Sequence, residues 1–206
     1  MAGLILVFDM DQTIIGNHVT SEKLDFNPKV LAILRRAMEL RPGKVKAIFL
    51  LTNNGFDSDI NLFHIKLLHE IFPQNRNRPS SVFDGIMTAN TLGRLKEYLP
   101  KRLEDVEFLM KERFGPDVKL KDLADRVYFF DDLVPEHLIK NELPEGHYIR
   151  IDPPFELGVK DRTNYKPIYD ALGMQDTARG GAKKKAGRIT RKLRRSVKYT
   201  RALKRG

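Results

Sequence analysis

Cysteine is missing altogether from the 206 residues. A disulfide framework, a thiol nucleophile and a thiolate-ligated metal are therefore excluded. No apolar stretch approaches the ~20 residues that span a bilayer. The N-terminal run Leu4-Ile5-Leu6-Val7-Phe8 is too short for a signal peptide and lacks its basic start. No internal repeat is present. His18, His64, His69, His137 and His147 share no spacing, and His64 and His69 are five apart rather than at the i, i+4 step of a zinc pair, so all five read as structural or surface residues. An intracellular protein, cytoplasmic or nuclear, is the expectation.

Acidic residues are absent from one whole segment. Arg179 to Gly206 holds 13 Lys+Arg and no Asp or Glu. The full chain has 37 Lys+Arg against 27 Asp+Glu, a net charge of +10, so residues 1–178 keep 24 against 27, about −3. The basic surplus belongs to the tail. Gly180-Gly181-Ala182 reads as a hinge, and Ala186, Ile189, Leu193 and Val197 recur at rough helical spacing. Such a block suits an arm that orders on a polyanion, nucleic acid first, acidic or phosphorylated protein second, an anionic membrane surface third. The expected division is a domain over residues 1–178 and a basic tail over 179–206.

Within the domain, acids gather at strand ends. Asp9-Met10-Asp11-Gln12-Thr13 follows the apolar run Leu4 to Phe8 directly. Five consecutive apolar residues fit a strand covered on both faces, as in a parallel sheet. Ligands of open α/β sheets collect at the carboxyl ends of the strands. Asp9 and Asp11 would share one side of an extended chain. A second buried run, Ala47 to Leu51, ends in Thr52-Asn53-Asn54-Gly55 and leads into a helix with Ile60, Phe63, Leu67 and Ile71 at helical spacing, capped by Asp57 or Ser58. That strand, polar turn and helix N-terminus read as an oxyanion cradle. A third run, Val127-Tyr128-Phe129-Phe130, ends in Asp131-Asp132. Adjacent carboxylates repel unless a cation lies between them, and Mg²⁺ takes carboxylate oxygens. Two lysines precede that pair: Lys101, opening a helix with Val106, Leu109, Met110 and Phe114, and Lys121, in Lys119-Leu120-Lys121-Asp122-Leu123.

The ordered set of DxDxT, strand plus Thr, Lys, and strand plus Asp-Asp resembles the haloacid dehalogenase superfamily of phosphotransferases over roughly Leu4 to Ile151. The motifs are most similar to those of the magnesium-dependent phosphatase-1 group, and Lys119 to Leu123 is similar to the lysine region of the RNA polymerase C-terminal-domain phosphatases. The resemblance implies that Asp9 is a nucleophile forming an aspartyl-phosphate, and that Asp11 is general acid, then base. It implies that Thr52, with Asn53, binds the phosphoryl group, and that Lys101 or Lys121 steadies the charge. Lys101 fits the commoner family arrangement, in which a helix separates the lysine from the Asp-Asp strand. It implies a Mg²⁺ site with Asp131 as direct ligand, Asp132 in support, and Asp9 and the Asp11 carbonyl completing it.

Elsewhere the pattern reads as a doubly wound α/β fold. Five parallel strands are expected at Leu4–Phe8, Val45–Leu51, Val82–Met87, Val127–Phe130 and Tyr148–Ile151, with helices on both faces. Asn27-Pro28 starts a helix whose apolar face is Val30, Leu31, Leu34, Ala37 and Met38, and Arg41-Pro42-Gly43 stops it. Gln12 to Phe26 is polar enough for a short flap, but no large cap domain fits. Asp152 to Gly158 reads as a loop, and Tyr165, Ile168, Tyr169 and Leu172 as a last helix ending at Gly173. In this superfamily an uncapped site goes with macromolecular substrates. The resemblance therefore implies a Mg²⁺-dependent phosphatase acting on a phosphorylated macromolecule, a phosphoprotein first. A nucleic-acid 3′-phosphatase is the nearest alternative. A nucleic-acid-tethered binding protein on the same scaffold is the third reading, and a large DNA virus fits as a source.

Overall fold

The computed structural model describes residues 3–16, 24–73, 79–91, 100–133 and 138–175. The basic tail, with its expected hinge and helical spacing, lies outside the described residues, as do His18 and His137.

Five parallel strands form one sheet: β1 (Leu4–Phe8), β2 (Val45–Leu51), β3 (Gly85–Met87), β4 (Val127–Asp131) and β5 (Tyr148–Arg150), in the order β3-β2-β1-β4-β5. The helices between them are α1 (Pro28–Glu39), α2 (Asp57–Ile71), α3 (Leu103–Phe114) and α4 (Leu138–Glu142), and α5 (Lys166–Leu172) follows β5. The alternation of side chains along β1 divides the core. Leu6 and Phe8 join the cluster under α1, α2 and α5, whereas Ile5 and Val7 join the cluster under α3 and α4. Both faces of the sheet are therefore covered, which is why the strands read as unbroken apolar runs. This is the expected doubly wound architecture. Among the described residues, each strand is joined to the next by a single helix and its loops, with no inserted domain. None of their helices is long and apolar enough to cross a membrane.

Local chemistry explains where elements start and stop. Asn27 accepts hydrogen bonds from the Lys29 and Val30 amides, and Pro28 supplies the first helical residue of α1. Gly173 ends α5 in the left-handed region at φ 65°. Strand β4 runs one residue past the expected end, to Asp131, β5 stops one short, at Arg150, and α3 opens at Leu103, two residues after Lys101. Two further boundaries differ for a local reason. Strand β3 begins at Gly85 rather than Val82, because the Asp84 carboxylate takes the Ile48 amide of β2 and is paired with Arg41. A side chain there does what a strand carbonyl would do, and the ladder starts one residue later. Helix α2 is not capped by Asp57 or Ser58: Asp57 is already helical, and Phe56 precedes it in an extended conformation with no side-chain cap.

Of the stretch Gln12 to Phe26, expected as a short flap, residues 17–23 lie outside the described residues, and the described ends are packed against the domain. Met10, Thr13, Ile14 and Ile15 are buried, and Ile15 bridges both Asp11 and Phe26. The loop after β5 leans on it, with the Phe155 amide donating to the Gln12 carbonyl at 2.7 Å.

The rings of Phe8 and Phe130 stack across β1 and β4 with centroids 4.3 Å apart. Truncation of this buried contact by Phe130→Ala is expected to cost about 3–5 kcal/mol. Phe56, by contrast, is 71 % exposed, and Phe56→Ala is expected to change stability by less than about 0.5 kcal/mol. Urea unfolding of the two variants beside the parent checks both values.

Candidate active site

Strand register assembles the site. Phe8 lies opposite Phe130 of β4 and opposite Leu50 of β2. One step further, Asp9 and Asp131 become neighbours, and Thr52 emerges two residues beyond Leu50. The strand order reverses between β1 and β4, with β2 and β3 on one side and β5 on the other. Such a switch point opens a crevice at the carboxyl ends of the strands. Asp9 and Asp131 share the pleat parity of Val7 and Phe129, so they face the α3 side of the sheet.

Lys101 comes from that side. It sits two residues before α3, is 1 % exposed, and donates from Nζ to Asp9 Oδ1 at 2.7 Å and to Asp131 Oδ2 at 3.1 Å. Burial alone would lower its pKa, but the Asp9 and Asp131 carboxylates outweigh burial and raise it. Lys101 is therefore a fixed cation. The competing lysine, Lys121, is exposed on the 3₁₀ turn Leu120–Asp122 and does not line the site.

Two carboxylates share this ammonium, and a third stands beside them. Asp9, Asp131 and Asp132 are all buried and place oxygens within 4.8 Å of one another. Burial pushes the Asp9 carboxyl up to about 7 against the pull of Lys101, with Asp131 and Asp132 adding to the rise. Burial, then Asp131, pushes Asp132 up to about 6. A cluster with this surplus of buried negative charge suits a hard divalent cation, which takes such oxygens.

The two members of the Asp-Asp pair stand differently. Asp131 is fully buried, with Oδ2 on Lys101 and Oδ1 accepting the Leu133 amide at 3.1 Å. Asp132 lines the cleft. Both acids keep an oxygen within 4.8 Å of Asp9, Asp132 on the lining of the cleft and Asp131 on Lys101. The Asp11 carboxylate lies outside the three-carboxylate group and faces Asn54, whose Nδ2 is 3.5 Å away.

The cleft has a volume of about 520 Å³ and contains Asp9, Asp11, Thr52, Asn53, Lys101 and Asp132. Thr52 is buried, and its hydroxyl oxygen accepts the Asn54 amide at 3.1 Å, which leaves the hydroxyl proton free to donate. The Asn53 side-chain amide nitrogen has no hydrogen-bond partner among the described residues. Both groups can donate to an anion. Helix α2 contributes less than an oxyanion cradle should, because Asp57 and Asp59 in its first turn already offset the helix dipole.

Three contributors escaped sequence reasoning: Gln12, Phe56 and Asp59 line the cleft. A fourth acts from behind. The Tyr148 hydroxyl donates to the Leu133 carbonyl at 3.3 Å, tying down the turn that carries Asp131 and Asp132. Burial first, then Asp131, Asp132 and Asp9, raises the Tyr148 pKa, so it remains a donor. In the sequence it is only the first residue of the β5 run.

Without divalent cation, Lys101→Met is expected to cost about 3–5 kcal/mol near neutral pH, since it strands buried carboxylates. Lys121→Met, at an exposed position, is expected to stay within about 0.5 kcal/mol of the parent. The raised Asp9 pKa means that the folded state holds a proton that the unfolded chain releases near 3.8. Metal-free stability should therefore be full below pH 3.8 as far as Asp9 contributes, and fall as pH rises towards about 7. Thermal unfolding in chelator across that range measures this slope; a rise instead of a fall would contradict it.

No family model matches the chain, and neither a curated protein nor a solved structure does.

Proposed function

We propose that this chain is a Mg²⁺-dependent phosphomonoester hydrolase of the haloacid dehalogenase type, acting on a macromolecule. The observation that carries this reading is the Lys101 bridge from Asp9 to Asp131 in a cleft that also holds Asp11 and Thr52. A structural ion pair needs neither the second strand-end acid nor the hydroxyl.

Each residue has a role that its position supports. Lys101 holds Asp9 Oδ1 and aligns the carboxylate, leaving Oδ2 to attack phosphorus. As that oxygen–phosphorus bond forms, the bond from phosphorus to the leaving oxygen breaks, and Asp11 gives the leaving oxygen its proton. Water then attacks the aspartyl-phosphate, Asp11 takes a proton from it, and the phosphorus bond to Asp9 breaks, releasing phosphate and restoring the enzyme. Thr52 and Asn53 donate to the phosphoryl oxygens through the hydroxyl and amide left free for that purpose. Asp9 and Asp132 would hold the metal from the cleft side, with Asp131 fixing Lys101 behind them. When bound, Mg²⁺ supplies neutralisation of the phosphoryl charge.

The basic segment 179–206 favours a second component of the reading, a polyanion-binding arm. Its 13 cations would make binding to nucleic acid fall steeply with added salt.

Hydrolysis of a generic aryl phosphate, with and without Mg²⁺, tests the proposal. Metal-dependent turnover is expected, lost in Asp9→Asn and reduced about 10²–10⁴-fold in Asp11→Asn. Lys101→Ala is expected to lower turnover by about 10²–10³-fold, with Lys121→Ala near the parent; the opposite ranking would sink the assignment. Mg²⁺ should also raise the thermal midpoint more at pH 8 than at pH 5.5, because protons and metal compete for the raised carboxylates.

A further inference from the structure

Phe56 occupies an anomalous place. It lies in line with the apolar stripe of α2, four residues before Ile60, yet it is 71 % exposed. The reason is local. Phe56 precedes the helix at φ −93°, ψ 101°, and its amide donates to Asn54 Oδ1 at 2.8 Å, which swings the ring out of the stripe. Asn54 in turn is anchored by its amide on Thr52 Oγ1, and Asn90 donates to the Gly55 carbonyl from the loop after β3. A large apolar ring is thus held in solvent by a braced turn, on the wall of the candidate active site. A ring fixed there is a ready contact surface for a bound molecule.

Charge on the same wall narrows what that molecule is. Among the described residues, Lys101 is the only cation lining the cleft, against Asp9, Asp11, Asp59 and Asp132. Its ammonium is already shared between Asp9 and Asp131. Asp59 meets Ser58 Oγ at 3.4 Å, and no described cation pairs with it. A nucleic-acid strand carries a phosphate at every step and is held by lysine and arginine. Here its flanking phosphates would meet Asp59 instead. A polypeptide with basic residues beside its phosphorylated side chain would meet complementary charge.

We propose that the mouth of the cleft selects a phosphorylated polypeptide with an apolar and a basic residue beside the phosphoryl group, Phe56 receiving the first and Asp59 the second. This rests on the phosphomonoester reading and names its substrate class.

The test compares three probes on the full chain: a phosphoserine peptide with leucine and arginine flanks, the same peptide with glutamate flanks, and a 3′-phosphorylated oligonucleotide. The first is expected to exceed the second in kcat/KM by about tenfold, an apolar anchor and one charge pair together. The oligonucleotide should be the poorest substrate. Phe56→Ala and Asp59→Lys should each shrink the ratio between the two peptides, and Phe56→Tyr should keep it. An oligonucleotide turned over fastest, or a ratio unmoved by Phe56→Ala, would overturn the proposal. Fluorescence anisotropy of the labelled peptides separates the two levels of the argument. If nothing is hydrolysed but the arginine peptide still binds more tightly and loses that margin in Phe56→Ala, the selectivity stands and the hydrolytic reading falls. Equal binding of both peptides would defeat the selectivity itself.

Discussion

One ammonium group, shared by two strands, is the constraint on which the rest of this structure turns. Lys101 is buried to the same degree as the phenylalanines around it. A charge so placed is tolerated only where its partners are close and fixed. Asp9 and Asp131 are fixed by the ladder between β1 and β4, which holds them through the Asp9 amide on the Phe130 carbonyl at 2.9 Å and the stacked Phe8 and Phe130 rings. The apolar face made by Ile5, Val7 and Phe129 thus ends in carboxylates, and Lys101 closes that end. The dependence runs both ways: the acids make the buried lysine tolerable, and the lysine makes two adjacent buried acids tolerable. Asp132 is the acid left over, and it lines the cleft beside Asp9. The balance within the core is complete except on the side where chemistry is proposed, which is where a protein bears electrostatic strain for function.

The frame was legible in the sequence for the same reason that it is stable. Strands β1, β2 and β4 lie under helices on both faces, so apart from Lys46 and the terminal Asp131 their positions are apolar or aromatic and the runs stand out. Strands β3 and β5 have three residues each, and β3 is cut short by the Asp84 carboxylate, a decision made by one side chain and not by periodicity. The acids at the ends of β1 and β4 were visible as motifs. Their division of labour was not, although pleat parity carries the information: Asp131 follows Val127 and Phe129 onto the α3 side, where Lys101 waits.

Other features were out of reach for stated reasons. The partners of Lys101 are 92 and 30 residues distant, so the family arrangement could favour it over Lys121, but only the sheet register shows which two carboxylates it joins. Tyr148 acts through the Leu133 carbonyl, a backbone group that no side-chain pattern announces. Phe56 carries no mark of its exposure in the sequence. Its spacing assigns it to the buried stripe of α2, and the Asx-type turn made by Asn54 overrides that assignment.

That turn also bears on where a phosphoryl group would sit. A free helix N-terminus attracts anions through its unpaired amides and its dipole. In α2 the first turn carries Asp57 and Asp59, and the amides just before it are committed, Asn54 to Thr52 and Phe56 to Asn54. The helix start is therefore a poor anion site, whatever its geometry. Donors for an anion remain deeper in the cleft, at the Thr52 hydroxyl, the Asn53 amide and the face of Lys101. The wall divides accordingly: its floor can accept a phosphoryl group, and its rim, with Phe56 and Asp59, is unfavourable to further negative charge. A single dianion carried on an uncharged or cationic chain satisfies both halves, whereas a polyanion satisfies only the first.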